Sequence, residues 1–172
     1  MNLIIKHVAL IGILLFTASM AVADHHDMPQ IKTSTAFDKM KQLVGTWKGT
    51  GGDMGDGSVE VQYHLSSGGS AVVETLFPGT PHEMTTVYYD EGGKLAMTHY
   101  CVLGNHPTME LKKETANALI FATRAKSHLE GQPHMDTLDL TFESPNSIEQ
   151  KWSMTQPGKE GHTSTFKLTK QP

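Results

Sequence analysis

The sequence predicts an all-β protein: a single antiparallel up-and-down β-barrel of about nine or ten strands, preceded by a short helix. From residue 47 onward, short segments alternate apolar and polar residues, as in Val59, Val61 and Tyr63. Clusters of Gly, Pro, Asn and Asp separate these segments, and most connections are short, which favours hairpins in chain order. Closing so many strands into a barrel removes exposed edges. A two-sheet sandwich is the alternative.

Residues 1–23 predict a cleavable export signal. Lys6 precedes an apolar run over residues 8–20, and the run ends in the small-residue pattern Ala21-Val22-Ala23. This run is shorter than the roughly 20 apolar residues that cross a bilayer, and no later segment is long and apolar enough to do so. We therefore expect cleavage between Ala23 and Asp24, a periplasmic location and no membrane span after cleavage. An uncleaved N-terminal anchor is the alternative.

Cleavage at this point would create a predicted metal site. Residues 24–33 are polar, and Pro29 lies among them, which predicts a flexible tail. The new N-terminus would begin with Asp24, His25 and His26. Its free amine, two backbone amides and the His26 ring can form a square-planar nitrogen site for Cu(II) or Ni(II). A tail that is simply mobile is the alternative, and a cut one residue away would abolish the site.

The barrel domain is predicted to span residues 34–170. It begins with one short amphipathic helix, in which Phe37, Met40 and Val44 recur at helical spacing. Gly45 is a natural end for this helix. We expect the helix to close or brace one end of the barrel.

The start of the first strand resembles the lipocalin-like (calycin) barrels, in which a helical turn is followed by Gly-x-Trp, here Gly45 and Trp47. The resemblance implies that the Trp47 side chain covers the closed barrel end. Residues 68–109 contain "ETLFPGTPHEM" and "THYCVLGNHPTM". They resemble a family of bacterial exported or small soluble proteins of unknown function with a lipocalin-like fold. This resemblance, over most of residues 36–168, implies the fold and carries over no activity and no catalytic residue.

Charge and cysteine content narrow the possible partners. There are 14 Lys and Arg residues against 18 Asp and Glu residues, for a net charge of −4. An acidic chain of this kind argues against nucleic acid or an anionic membrane as a partner. Cys101 is the single cysteine, so no internal disulfide can form. Its thiol is either buried and inert, or reactive and available to another molecule.

The candidate ligand site is predicted inside the barrel, because barrels of this size either fill with side chains or hold one small ligand. Glu74 lies in an otherwise apolar segment, so it is either inward and paired or outward and solvated. His99 and Cys101 share one strand face with Met97, whereas Tyr100 lies on the other face. The predicted ligand-binding residues are Glu74, His99, Tyr100, Cys101, Asn105, Met109 and Trp152.

These patterns lead to three hypotheses about function. The first is a non-catalytic, exported binding protein for a small apolar or amphipathic molecule. The second is a small barrel enzyme that uses Glu74, His99 or Tyr100 as acid–base groups. The third is metal or haem binding, through the N-terminal tail or through the face that carries His99 and Cys101. Catalytic residues, the cofactor, the ligand and the oligomeric state are left unassigned.

Overall fold

A computed structural model describes residues 31–52, 57–124 and 129–172, and these form one helix and ten strands. The predicted signal segment, its cleavage site and the Asp24–His26 metal site lie outside the described residues and stay predictions. The elements are α1 (Thr35–Lys41), β1 (Gly45–Gly51), β2 (Ser58–Ser66), β3 (Ala71–Leu76), β4 (Met84–Glu91), β5 (Lys94–Tyr100), β6 (Thr108–Glu114), β7 (Ala118–Thr123), β8 (His134–Ser144), β9 (Ser147–Thr155) and β10 (His162–Lys170), with a 3₁₀ turn at Ser67–Gly69.

The strands form a closed antiparallel barrel in which each strand pairs with its neighbours in chain order. Closure occurs at β1, where Trp47 lies opposite Val61 of β2 on one side and Lys170 of β10 on the other. The predicted up-and-down barrel is therefore confirmed. A two-sheet sandwich is excluded, because pairing of the first strand with the last leaves the described sheet without an edge.

Two glycines allow β1 to close against β10. A Cβ atom on Gly49 would lie 1.8 Å from the carbonyl oxygen of Lys167, and one on Gly51 would lie 1.9 Å from that of Thr165. Gly51 also has a φ of +135°, which residues with a side chain rarely adopt. Glycine at these positions marks a close approach of two backbones.

Helix α1 is capped and fastened by Ser34. The Ser34 hydroxyl accepts a hydrogen bond from the Phe37 backbone N–H at 3.1 Å, as expected of an N-cap residue. The Ser34 N–H and hydroxyl donate to the Asp90 carboxylate at 2.6 and 2.8 Å. Because Asp90 lies on β4, these bonds hold the start of the helix against the barrel.

The buried face of the helix region covers one barrel end. Phe37, Met40 and Leu43 are buried, whereas Val44 is 38 % exposed. The expectation that Val44 belongs to this face is wrong, because α1 ends at Lys41 and the chain then turns. Trp47 is buried beneath the helix region, and its indole N–H donates to the Leu43 carbonyl at 2.7 Å.

The barrel interior is mainly apolar and includes a small set of polar side chains. Leu138 and Leu140 are buried, as the alternation predicted, whereas Leu65 is 45 % exposed where β2 reaches its turn. Within the described ranges, no helix is long and apolar enough to cross a membrane. The buried polar or charged residues among those described are Glu74, Thr86, His99, His134 and Gln150.

Candidate functional site

Four polar side chains form a row across adjacent strands. Tyr63 of β2 is the cross-strand partner of Glu74 of β3, and Glu74 is the partner of Thr86 of β4. Thr86 is in turn the partner of His99 of β5. All four side chains are buried. Cross-strand partners on one face have their Cβ atoms about 5 Å apart, so the register places these groups within hydrogen-bonding reach.

Glu74 is fully buried and surrounded by donors. Its Oε1 accepts a hydrogen bond from the Thr86 hydroxyl at 3.2 Å. Its Oε2 accepts from the Tyr88 hydroxyl at 3.1 Å and from Gln150 Nε2 at 3.0 Å. The Tyr63 hydroxyl also contacts Glu74 and accepts a hydrogen bond from Gln150 Nε2. Of the two alternatives drawn from the sequence, Glu74 is thus inward and paired.

The environment of Glu74 brings its titration into the neutral range. Burial raises its pKa from 4.5 to about 7, because a carboxylate loses its hydration there. The hydrogen bonds from Tyr63, Tyr88, Thr86 and Gln150 act in the opposite direction by stabilising the ionised form. Burial and the charge of Glu74 raise the pKa of both tyrosines well above 10, so their hydroxyls keep their protons and remain donors.

His99 connects this polar cluster to the barrel cavity. It is 1 % exposed, its Nδ1 lies 2.9 Å from the Thr86 hydroxyl, and its ring lies 4.6 Å from the Trp152 ring between centroids. Burial lowers its pKa from 6.5 to about 4, so the imidazole is neutral at pH 7. Its Nε2 is buried and has no hydrogen-bond partner within the described part of the chain.

The hydroxyl of Thr86 fixes which nitrogen of His99 carries the proton. A threonine hydroxyl has one proton to donate and can also accept. When Glu74 is ionised, Thr86 donates that proton to Glu74 and accepts a hydrogen bond from Nδ1–H of His99. A neutral imidazole protonated at Nδ1 has a free lone pair at Nε2. While Glu74 is ionised, the unpartnered Nε2 is therefore a hydrogen-bond acceptor.

An apolar cavity of about 280 Å³ lies against His99. At one side it reaches Val102 and Leu103, which are 50 % and 49 % exposed, and at the other it reaches His99 and Trp152, which are buried. Its volume is just below the usual range for small-molecule pockets, about 300–1,000 Å³. Its apolar wall includes Leu76, Phe77, Met84, Met135, Met154 and Phe166.

Three predicted ligand residues, His99, Cys101 and Trp152, line this cavity. Glu74 and Met109 are fully buried but do not line it. Glu74 instead contacts the cavity residues through Thr86 and Gln150, whose Oε1 accepts from the Trp152 indole at 3.0 Å. The structure therefore brings four of the predicted residues together, with Glu74 separated from the cavity wall by one side chain and two hydrogen bonds.

Two predicted ligand residues lie away from the cavity. Tyr100 is 53 % exposed and stacks on His106, with the ring centroids 5.9 Å apart. Asn105 donates from Nδ2 to the Pro133 carbonyl at 2.9 Å and so links the loop after β5 to the segment before β8. Neither residue is in the group formed by Glu74 and His99.

Thr86, Tyr88 and Gln150 are not among the site residues predicted from the sequence. A signal for them was present, because a carboxylate on a buried strand needs hydrogen-bond partners. Thr86 and Tyr88 are two residues apart on β4 and share one face, as strand alternation requires. Gln150 lies between Ile148 and Trp152 on the buried face of β9.

The third hypothesis, metal binding, is not supported by a cluster of ligand side chains in the described ranges. Among those residues, no group of three or more His, Cys, Asp and Glu side chains could hold a metal ion. His64 of β2 is exposed.

Comparison with known proteins supports the architecture. No protein-family model matches the sequence, and no curated protein matches it. Among solved structures, the chain is similar to the crystal structure of Rv2717c from M. tuberculosis, with a TM-score of 0.53 and 14 % sequence identity. The match covers 82 % of this chain and 100 % of that one. At this level of identity the likeness concerns the fold alone.

Proposed function

We propose that this chain is a binding protein for one small apolar or amphipathic molecule, which occupies the barrel cavity and places a polar group against His99. One observation carries the proposal: the buried Nε2 of His99 has no partner among the described residues and belongs to the wall of an apolar cavity. An unsatisfied buried polar atom costs about 1–3 kcal/mol. A ligand with a hydrogen-bond donor would recover that cost.

The cavity wall suits a flat or compact apolar body. Trp152 and Phe166 provide aromatic surface, and Met84, Met135 and Met154 provide flexible side chains that adapt to different shapes. Mostly apolar walls with a few polar groups are typical of sites that bind an apolar molecule and orient it by a polar contact. The proposed ligand is therefore an apolar molecule with one donor group, such as a hydroxyl or a ring N–H.

The acid–base alternative has less support from the site. Tyr100 is exposed and does not line the cavity, and Glu74 reaches it only indirectly, through Thr86 and His99 or through Gln150 and Trp152. A buried neutral imidazole beside an apolar cavity is suited to orienting a ligand, and we assign it no reaction.

We further propose that the protein is exported to the periplasm, is cleaved after Ala23 and belongs to the lipocalin-like exported proteins that its motifs resemble. N-terminal sequencing of the secreted protein should begin at Asp24. Copper titration of the cleaved protein and its His26→Ala variant tests the tail site. Equal affinities would end the hypothesis of a Cu(II) or Ni(II) site at Asp24, His25 and His26.

The binding proposal is tested with untagged protein by native mass spectrometry, absorption spectroscopy and calorimetric titration with indole. We expect either a retained small molecule or indole binding tighter than about 1 mM. Met154→Trp should abolish this binding, because Met154 lines the cavity and a larger side chain would fill it. Leu65→Trp adds the same ring at an exposed position and is the matched control. The absorption spectrum would also reveal a haem.

A clean apoprotein mass together with indole binding weaker than about 1 mM would overturn the proposal. Equal indole binding by Met154→Trp and wild type would place the ligand elsewhere.

A further inference from the structure

We propose that Glu74, Thr86 and His99 form a proton relay that reverses the hydrogen-bonding polarity of the barrel cavity. While Glu74 is ionised, His99 Nε2 accepts a hydrogen bond from the ligand. When Glu74 holds a proton, the same Nε2 atom carries a hydrogen and donates. The consequence for ligands rests on the proposed binding function, whereas the relay itself concerns only the three side chains.

The relay follows from the single hydroxyl between two titratable groups. Thr86 Oγ1 lies 3.2 Å from Glu74 Oε1 and 2.9 Å from His99 Nδ1. Because this oxygen has only one proton, it cannot donate to both neighbours at the same time. If it donates to Glu74, then Nδ1 must be the protonated nitrogen of His99. If it donates to His99, then Nδ1 must be the bare nitrogen and Nε2 the protonated one.

A proton on Glu74 is best accommodated on Oε1. A proton on Oε2 would point at Tyr88, whose hydroxyl hydrogen bonds to that same oxygen and would then need another acceptor. Gln150 Nε2, the other group at Oε2, is a donor. A proton on Oε1 is instead donated in a hydrogen bond to Thr86 Oγ1, and the Thr86 hydroxyl donates its own proton in a hydrogen bond to Nδ1 of His99. In that arrangement each hydrogen between Glu74 and His99 has an acceptor.

The step conserves protons and breaks no carbon–oxygen or carbon–nitrogen bond. A hydronium ion from solvent gives one proton to His99 Nε2 and becomes water, the Nδ1 proton moves to Thr86 Oγ1, and the former Thr86 proton moves to Glu74 Oε1. The three groups together gain one proton, and Glu74 goes from carboxylate to carboxylic acid. His99 is neutral before and after, with its hydrogen moved from Nδ1 to Nε2. This route also gives the fully buried carboxyl access to protons.

The surroundings of Glu74 favour a change of protonation in the neutral range. The groups that face it are Tyr63 from β2, Thr86 and Tyr88 from β4, and Gln150 from β9, with His99 of β5 behind Thr86. The buried polar set of the described chain contains no Lys or Arg that could hold the carboxylate ionised. The pKa of Glu74 is about 7 and that of His99 about 4, so the imidazole stays neutral while Glu74 titrates.

His134, the other buried histidine among the described residues, is not part of this hydrogen-bonded group. His134 on β8 uses Nδ1 to contact the Gln132 carbonyl at 2.7 Å, and its Nε2 lies 3.9 Å from Asp136. Its partners are therefore on its own segment of the chain.

Histidine-ring NMR of the ¹⁵N-labelled full chain tests the relay directly. Spectra are recorded from about pH 5.5 to about pH 8.5, which brackets the titration of Glu74. The signals of His99 are identified by their loss in His99→Gln. In wild type we expect protonated Nδ1 at high pH and protonated Nε2 at low pH. Thr86→Ser retains the hydroxyl and should keep this change, whereas Thr86→Val and Glu74→Gln should lose it.

Two outcomes overturn the relay: a wild-type His99 that keeps one protonated nitrogen over the whole range, or a Thr86→Val variant that still switches. Thr86→Val keeps the shape of the threonine side chain and Thr86→Ser removes one methyl group, so the decision does not depend on whether Glu74→Gln folds.

A second measurement separates the relay from the binding function. Indole offers one N–H donor, and acetophenone offers one carbonyl acceptor. The ratio of their affinities should change by about tenfold or more across the titration, in favour of indole at high pH, because a mismatched polar contact in a buried site is left unmade. Binding of neither probe by a protein that has a clean apoprotein mass and whose His99 switches would support the relay and overturn the binding proposal. If both indole and acetophenone bind with a pH-independent affinity ratio, and His99 keeps the same protonated nitrogen, the binding proposal would be supported and the relay overturned.

Discussion

Replacing Glu74 with glutamine should change how stability depends on pH, and the structure gives the sign. The pKa of Glu74 is raised from 4.5 to about 7 by burial. Between these values the folded chain holds a proton that the unfolded chain has lost. This contribution to stability is fully present below pH 4.5 and is lost as the pH rises through about 7. At about 1.4 kcal/mol per pKa unit, it amounts to about 3 kcal/mol.

His99 makes a contribution of opposite sign and similar size. Its pKa is lowered from 6.5 to about 4 by burial, so between these values the unfolded chain holds the extra proton. Its contribution is present above pH 6.5 and is lost as the pH falls through about 4. The corresponding free energy is again about 3 kcal/mol. In wild type, the contributions of Glu74 and His99 therefore nearly cancel between pH 4.5 and 6.5.

Single variants should uncover each contribution in urea unfolding measured from about pH 4 to about pH 8.5. The free energy of unfolding of Glu74→Gln, relative to wild type, should rise by about 3 kcal/mol over this range. His99→Gln should fall relative to wild type by a similar amount. Glu130→Gln, at an exposed carboxylate, is the matched control. Parallel curves for wild type and Glu74→Gln would refute the reasoning, because they would mean that Glu74 has the same pKa folded and unfolded.

Three further predictions concern the helix cap, the barrel seam and the cavity thiol. Ser34→Ala removes an N-cap and the bonds to Asp90, so urea unfolding should show a loss of about 1–2 kcal/mol. An unchanged midpoint would contradict the role of Ser34. Gly49→Ala would bring a Cβ atom to within 1.8 Å of the Lys167 carbonyl oxygen, and the loss should exceed about 3 kcal/mol in thermal unfolding. Wild-type stability would mean that β1 and β10 are less tightly apposed. Burial raises the pKa of Cys101, so iodoacetamide should react with it at neutral pH more slowly than with free cysteine, and bound indole should slow it further. A rate equal to that of free cysteine would contradict this.

The sequence pattern predicts the barrel because each hairpin is marked by a local sequence signal. Alternation and turn residues mark the strands one by one, and short connections make neighbours antiparallel. The pattern does not mark where the helix ends, and a small error there changes which residue lies under it. This explains the wrong placement of Val44: α1 ends at Lys41, and Leu43 takes the buried position.

The inward position of Glu74 could have been read from its strand with more certainty. Val72, Glu74 and Leu76 share one face of β3, and all three are buried. The other face carries Val73 and Thr75. Apart from Glu74, the face with Val72 and Leu76 is therefore the more apolar of the two. Parity alone therefore favours an inward Glu74, and burial of a carboxylate then requires donors on neighbouring strands.

Which donors meet Glu74 depends on register, and register is encoded unevenly. The turn between β4 and β5 is Gly92-Gly93, with both residues at positive φ, a type of two-residue loop that fixes hairpin pairing. It sets Glu91 opposite Lys94, and equal steps away from the turn set Thr86 opposite His99. A slip of one residue would turn His99 to the outer face. The pairing of Thr86 with His99, which is the part of the relay next to the cavity, was therefore predictable from the sequence.

The other half of the relay needs the folded barrel. Glu74 and Thr86 are joined across a longer loop that contains Pro78 and Pro81, and no simple turn rule fixes that pairing. Gln150 comes from β9, which reaches Glu74 only because the barrel closes. The direction of the hydrogen bonds around Glu74, and with it the acceptor character of the cavity, therefore depends on closure. Local sequence determines that a histidine faces the cavity, whereas the closed sheet determines which of its nitrogens carries the proton.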